Sequence, residues 1–251
     1  MSVTVSSRPS RDKEPPISRL VLWNIDLTLV DVAQVTRAAY ADAFEEVTGV
    51  PLVYLAPAAG RTDSELFFDF AARNDVDDAD ETLLPHFIEA LGAAFGRRRD
   101  LLTTKGRMMP GAADALDALV RLPDTVQTVV TGTIMPNATA KLAAFGLDGR
   151  LDLSIGGFGS EHYPKASLIQ FTRMRAEEAY ARAFAEDRTV YVTDSARDVE
   201  AARIGRVRPV AVVSGSSTES QLRAAGARHV LSDLTDPAAV VAAVRAATDG
   251  G

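Results

Sequence analysis

Apolar residues in this chain fall into two patterns. Short stretches rich in apolar residues, unbroken at Leu20–Trp23, occur there and at Val126–Thr131, Leu151–Ile155, Thr189–Thr193, Pro209–Val213 and His229–Leu231. Runs of this kind suit strands covered on both faces, as in a parallel sheet. Between them, apolar positions recur at helical spacing over 111–122, 136–145, 164–185, 196–204, 217–225 and 237–247. Pro110-Gly111 opens the first of these helices, and Gly146 and Gly205 stop two others. Strands alternating with helices through short connections predict an α/β fold, a mostly parallel sheet with helices on both faces.

One segment departs from the alternation. Residues 34–105 hold no convincing strand and three helical patterns. The first runs Val32–Thr48, with Val35, Ala39, Phe44 and Val47 apolar and Gly49 as a stop. The second starts at a cap, Thr62 or Asp63, and reaches Arg73. The third spans Glu81–Phe95, after an acidic linker at 77–80. The expected organisation is a core built from 18–33 and 106–251, with a helical insert over 34–105. Met1–Pro16 is polar, carries paired prolines and lacks the apolar centre of a signal peptide, so 1–17 is expected to be a disordered tail.

Composition narrows the function classes. A chain of 251 residues, 47% hydrophobic, is enough for one α/β domain and a smaller insert. The net charge of −7 argues against nucleic acid or an anionic membrane as partner. No cysteine is present, which excludes disulfides, thiolate metal sites and a Cys nucleophile, and the three histidines lack ligand spacing. No apolar run approaches the roughly 20 residues of a membrane span, so a cytoplasmic protein is expected. Monomer and homodimer stay equally open.

Polar residues cluster where four of the strands end. Asn24, Asp26 and Thr28 follow the first, and Thr131-Gly132 the second. Lys165 opens a helix after the glycines at 156, 157 and 159, and Asp194 and Asp198 follow Val190–Val192. Taken singly, these are a turn, a solvated lysine, an N-cap and an exposed helix face. Together they occupy strand ends that a parallel sheet places along one edge, where such sheets bind ligands. The residue types point to phosphoryl chemistry. Lys165 supplies a cation, Thr131 and Gly132 supply hydroxyl and N–H donors, and Asp194 and Asp198 suit Mg²⁺, which prefers carboxylate oxygens. The expected ligand is a small phosphorylated metabolite.

Asn24-Ile25-Asp26-Leu27-Thr28, after its apolar strand, resembles the first motif of the haloacid-dehalogenase-like (HAD) hydrolases, Asp-x-Asp-x-Thr. Thr131, Lys165 in Tyr-Pro-Lys, and Asp194 through Asp198 are similar to the second, third and fourth motifs. Thr193 and Leu27 stand where glycine is commoner. The resemblance covers nearly the whole chain beyond the tail and is nearest to phosphoglycolate-phosphatase-like enzymes with a helical (C1-type) cap. It implies a Rossmann-like core, a cap over 34–105, and a Mg²⁺-dependent phosphomonoesterase. Asp26 is then the acid/base, and Thr131 and Lys165 hold the phosphoryl oxygens. The position of Asn24, with Asp26, Asp194 and Asp198, surrounds the metal. Gly60-Arg61-Thr62-Asp63 is similar to the substrate-facing cap segment. Arg61 is therefore the candidate reader of the non-phosphate end, or else a surface arginine before a helix cap.

Asn24 stands where this family carries its nucleophilic aspartate. An amide is a poor nucleophile, and such losses typically cost about 10⁴–10⁶ in turnover. Three explanations remain at this point: a deliberate Asp→Asn change that traps substrate, a natural binder that has given up turnover, or different chemistry such as water activated by Asp26.

Overall fold

The computed structural model describes residues 18–77 and 79–249, so the tail expected over 1–17 and part of the acidic linker lie outside the described residues. The chain enters the sheet with β1 (Arg19–Trp23), all five residues buried. A short ribbon follows: β2 (Val30–Asp31) pairs antiparallel with β3 (Arg107–Met108), Val30 opposite Met108. Between the two arms lie α1 (Ala33–Thr48), α2 (Asp63–Arg73), α3 (Leu84–Gly96) and α4 (Leu102–Lys105). Gly49 ends α1 in the left-handed conformation, φ 71°, as a side chain there would resist. A capping box of Thr62 and Glu65 starts α2. Tyr40, Phe44, Phe67, Phe70 and Phe87 join these helices, with Phe67 and Phe87 centroids 4.9 Å apart.

After the ribbon, helices and strands alternate: α5 (Ala112–Val120), β4 (Thr125–Val129), α6 (Met135–Ala144), α7 (Lys165–Tyr180), β5 (Thr189–Thr193), α8 (Ala196–Ile204), β6 (Arg208–Val212), α9 (Glu219–Ala225), β7 (His229–Leu231) and α10 (Pro237–Asp249). The sheet order is β4-β1-β5-β6-β7, parallel throughout. Side chains alternate across it. Leu20, Leu22 and Tyr191 pack with Leu168, Ile169 and Ala202 on one face. Val21, Trp23, Val190 and Val192 pack with Leu116, Leu119, Val240 and Val244 on the other. Each large side chain so buried contributes about 1.5–3 kcal/mol. This is the Rossmann-like α/β architecture the alternation predicts.

Three expectations fail locally. The strand expected at Leu151–Ile155 is a 3₁₀ turn over Leu153–Ile155. The chain touches β4 at Asp152, whose N–H donates to the Gln127 carbonyl, and again at Gly157. Between them Asp152 accepts from the Ser154 N–H at 3.1 Å, a local turn that displaces the ladder. The helix expected to reach Ala185 ends at Tyr180, with Ala181 left-handed. The third helix starts at Leu84 instead of Glu81, because Asp80 accepts from the Thr82 N–H and holds the chain in a turn.

Candidate active site

The register sets the site. Trp23 lies opposite Val129 of β4 and Val192 of β5, so the residues after all three strands emerge side by side. Asn24, 6% exposed, keeps its backbone in the ladder through Val192. Its side-chain Nδ2 donates to the Asp26 carbonyl at 2.9 Å, to Asp194 Oδ1 at 3.1 Å and to Thr28 Oγ1 at 3.3 Å. Its Oδ1 accepts from Lys165 Nζ at 3.4 Å.

Lys165 opens α7 and is buried, its Nζ 2.8 Å from Asp198 Oδ1. The other Asp198 oxygen accepts from Thr193 Oγ1 at 3.0 Å. Asp198 is therefore not on an exposed helix face, and Ser195, not Asp194, caps α8. Asp194 accepts from Thr28 Oγ1 at 3.0 Å and from the Ser216 N–H at 3.2 Å. Burial, followed by the Asp198 charge, pushes its carboxyl up to about 6 against these donors.

Thr131 and Gly132 turn where β4 ends. Thr131 Oγ1 accepts from the Thr133 N–H at 3.1 Å, while the Thr131 N–H donates to Gly157. A Cβ on Gly132 would overlap the Arg61 carbonyl oxygen, and the Gly132 carbonyl accepts from the Asp63 N–H at 2.7 Å. Ser64 Oγ donates to the Gly159 carbonyl at 3.0 Å. The start of α2 is thus seated on the strand ends. Arg61 lies on the cavity wall, but its guanidinium is ion-paired with Asp69.

Several residues that matter here carry no motif. Lys141, 1% exposed, places Nζ 2.8 Å from both Asp26 oxygens and donates to Thr133 Oγ1 at 3.0 Å. Thr133 Oγ1 in turn donates to Asp26 Oδ2 at 2.9 Å. Asp63, expected as a possible cap and as the last residue of the substrate-facing segment, is buried. It accepts from Tyr40 Oη at 2.5 Å and from the Ile134 N–H at 2.8 Å, and burial raises its carboxyl to about 6. One sequence signal for Lys141 existed: it stands three residues after Ala138 and beside Leu142, on the inward face of α6.

A cavity of about 310 Å³ is lined by Asn24, Asp26, Thr131, Lys165 and Asp194 together with residues of α1, Pro57–Arg61, Asp63 and Leu66. Among the described residues no set of three or more His, Cys, Asp or Glu is placed to hold a metal ion. The Asp26 carbonyl and Asp194 Oδ1 nevertheless converge on the Asn24 amide. With the amide turned to offer Oδ1, that point has three hard oxygen donors. The donor chemistry fits Mg²⁺, with one negative charge fewer than an aspartate would give. Among the described residues no helix is long and apolar enough to cross a membrane.

Solved structures with this fold include a hydrolase from Pseudomonas syringae, 20% identical, covering 88% of this chain and 95% of that one, TM-score 0.64. A predicted phosphoglycolate phosphatase from Haemophilus somnus is 18% identical, covering 89% and 98%, TM-score 0.63. CbbY from Rhodobacter sphaeroides, an aspartate-to-asparagine mutant in complex with xylulose-(1,5)bisphosphate, is 19% identical, covering 87% and 96%, TM-score 0.66. No curated protein matches the chain. The profile of the haloacid dehalogenase-like hydrolases matches residues 21–203, and the chain belongs to that family.

Proposed function

We propose that this chain is the scaffold of a Mg²⁺-dependent phosphatase of small phosphomonoesters, in which Asn24 replaces the nucleophilic carboxylate. As given, it binds the ester without appreciable turnover. The observation that carries this reading is the position of Asn24, whose amide meets Lys165, Thr28 and Asp194 at the meeting point of three strand ends.

In this reading the Lys165 ammonium and the hydroxyl and N–H donors of Thr131 and Gly132 hold the phosphoryl oxygens. Asn24 Oδ1, with its amide turned, the Asp26 carbonyl and Asp194 would hold Mg²⁺, and Asp198 acts from behind by fixing Lys165. The ion, when bound, offsets phosphate charge. Asp26 protonates the leaving alcohol and, with an aspartate at position 24, activates the water that clears the acyl-phosphate. Residues 34–105 act as a cap that excludes solvent, seated through Gly132 and Gly159. The partner is a small phosphorylated metabolite, met in the cytoplasm.

A natural non-hydrolytic binder is the second reading. It is favoured by how completely the Asn24 amide is used, with three acceptors for Nδ2 and a cation for Oδ1. Phosphate release from a panel of phosphomonoesters with Mg²⁺, for this chain and Asn24→Asp in parallel, separates the two. Turnover only in the Asp form establishes the phosphatase scaffold. Ester binding with no turnover in either form establishes the binder. Fast turnover by the Asn24 chain, with intact mass excluding deamidation, overturns both.

A further inference from the structure

A second cleft, of about 1420 Å³, lies at the other edge of the sheet, where β6 and β7 begin and α8 and α9 end. Arg208 opens β6, and Arg228 stands directly before β7. With Arg203, Arg206 and Arg223 they put five guanidinium groups on the lining, against two carboxylates, Glu186 and Asp187. The chain as a whole carries a charge of −7, so the cleft inverts its sign. Burial, then the Arg228 charge, lowers the His229 pKa, and the positive potential is the arginines' own. The length of a strand such as β5, roughly 15 Å, separates the cleft from the cavity lined by Asn24.

Folding accounts for three of these arginines. Arg203 donates to the Ala225 carbonyl at 3.0 Å and so closes the end of α9. Arg206 pairs with Glu186 at 2.9 Å, and Arg223 with Glu219 one turn back at 2.8 Å. Arg208 and Arg228 have no such role. Both are exposed, as a docking surface requires, and neither guanidinium has a hydrogen-bond or ion-pair partner among the described residues. Val210 lies opposite His229, which puts Arg228 level with Pro209, next to Arg208 on the paired strand. Like charges on neighbouring strands repel, and a bound anion would relieve this pair.

We infer that this cleft is a docking surface for an acidic polypeptide segment of a partner protein. Its size exceeds the roughly 300–1,000 Å³ of small-molecule sites, so the occupant is a stretch of chain and not a metabolite. Carboxylates suit guanidinium groups, which grip them through paired N–H donors. The floor between the arginines is apolar, with Val207, Ala227 and Ala247 buried there, and suits aliphatic side chains of the same segment. Nucleic acid fits less well. Among the described residues that line the cleft none is Phe, Tyr, Trp, Asn or Gln, which supply the rings on which bases stack and the amides that read adenine. A long polyanion would also run beyond the patch onto a chain of net charge −7. The docking surface is independent of the phosphate-site reading above, and its place leaves the cavity open.

The test is fluorescence anisotropy with the full chain at about 150 mM salt, where long-range attraction is screened. The probe is a fluorescein-labelled twelve-residue peptide of repeated Glu-Leu-Glu. Its comparisons are the same peptide with glutamine for glutamate, and a twelve-nucleotide oligothymidylate. The acidic peptide is expected to bind at least about tenfold tighter than either. Arg208→Glu combined with Arg228→Glu weakens it by at least about tenfold. Arg99→Glu combined with Arg121→Glu makes the same change of net charge outside the cleft and weakens it by no more than about threefold. Melting curves show which variants are folded. If the reversal pair does not fold, Arg208→Gln with Arg228→Gln removes the charge alone and is expected to lose about threefold or more. Equal weakening by the cleft pair and the outside pair reduces the effect to net charge and overturns the docking surface. Oligothymidylate binding as tight as the peptide's overturns it in favour of nucleic acid, and failure of the acidic peptide to bind overturns it outright.

Discussion

Lys141 Nζ lies 2.8 Å from each carboxylate oxygen of Asp26, and no motif joins the two residues. Lys141 comes from α6 in the core and is buried, with its ammonium 5.7 Å from the Phe95 ring centroid of α3. Thr133 bonds both partners. The carboxylate is therefore fixed in direction by three hydrogen bonds, two of them from the Lys141 ammonium. An acid/base group must be aimed to work, and in the role proposed for Asp26 this clamp does the aiming.

The clamp predicts a leaving-group signature. In the Asn24→Asp background, Lys141→Met frees Asp26 to rotate. Proton transfer to a poor leaving group is lost first, so hydrolysis of an alkyl phosphate falls by about 10²-fold. An aryl phosphate with an acidic phenol needs little protonation and keeps its kcat within a few-fold. Equal losses on both substrates would reduce Lys141 to a packing residue.

Asp63 predicts the pH course of stability. Its carboxyl is raised to about 6 from an ordinary 3.8, chiefly by burial. The folded state then holds this proton more tightly than the unfolded chain. Stability contributed at low pH is lost as pH rises from about 4 through about 6, by about 1–3 kcal/mol. Asp194, raised to about 6 as well, tilts the same window in the same direction. Asp63→Asn keeps an oxygen for the Ile134 N–H and removes the titration. Melting temperatures of this variant should fall less steeply between pH 4 and 7 than those of the parent. An unchanged slope would place the titration elsewhere.

The buried pair Lys165–Asp198 predicts a rescue by ligand. Asp198→Ala strands the Lys165 ammonium, whose nearest remaining partner is Asn24 Oδ1 at 3.4 Å. Removing one member of such a pair costs about 3–5 kcal/mol. Phosphate can replace the lost anion, so millimolar phosphate should raise the melting temperature of Asp198→Ala more than that of the parent. A smaller rise in the variant would mean that Lys165 does not face the phosphate.

The α/β sheet was legible because its strands are buried on both faces and read as apolar-rich runs, unbroken at Leu20–Trp23. The site residues were legible because they follow those runs directly. Legibility failed where local bonds compete with pattern. Leu151–Ile155 alternates like a strand, yet Asp152 and Ser154 close a turn. The ribbon of β2 and β3 has two residues in each arm, too few for any periodicity to register. Arg61 lines the cavity, but no sequence rule gives the side-chain direction that pairs it with Asp69. Lys141 was missed because a lysine is assigned to solvent by default, and only its carboxylate partner across 115 residues overrides that.

Gly132 predicts how tightly the helical layer depends on its seat. Any side chain there must displace the Arg61 carbonyl, while the Gly132 carbonyl still has to receive the Asp63 N–H. The obstacle is backbone, which cannot rotate away as a side chain would. Gly132→Ala should therefore lift the start of α2 from the strand ends. It should cost about 1–3 kcal/mol by overpacking and weaken phosphate binding at the same time. Gly149→Ala is the matched control, because a Cβ there meets nothing within 4 Å. If the two variants melt together and bind phosphate alike, the seat at Gly132 is slack and α2 is held by its apolar face alone. If only Gly132→Ala loses both, docking of the helical layer and integrity of the phosphate end are one cooperative arrangement.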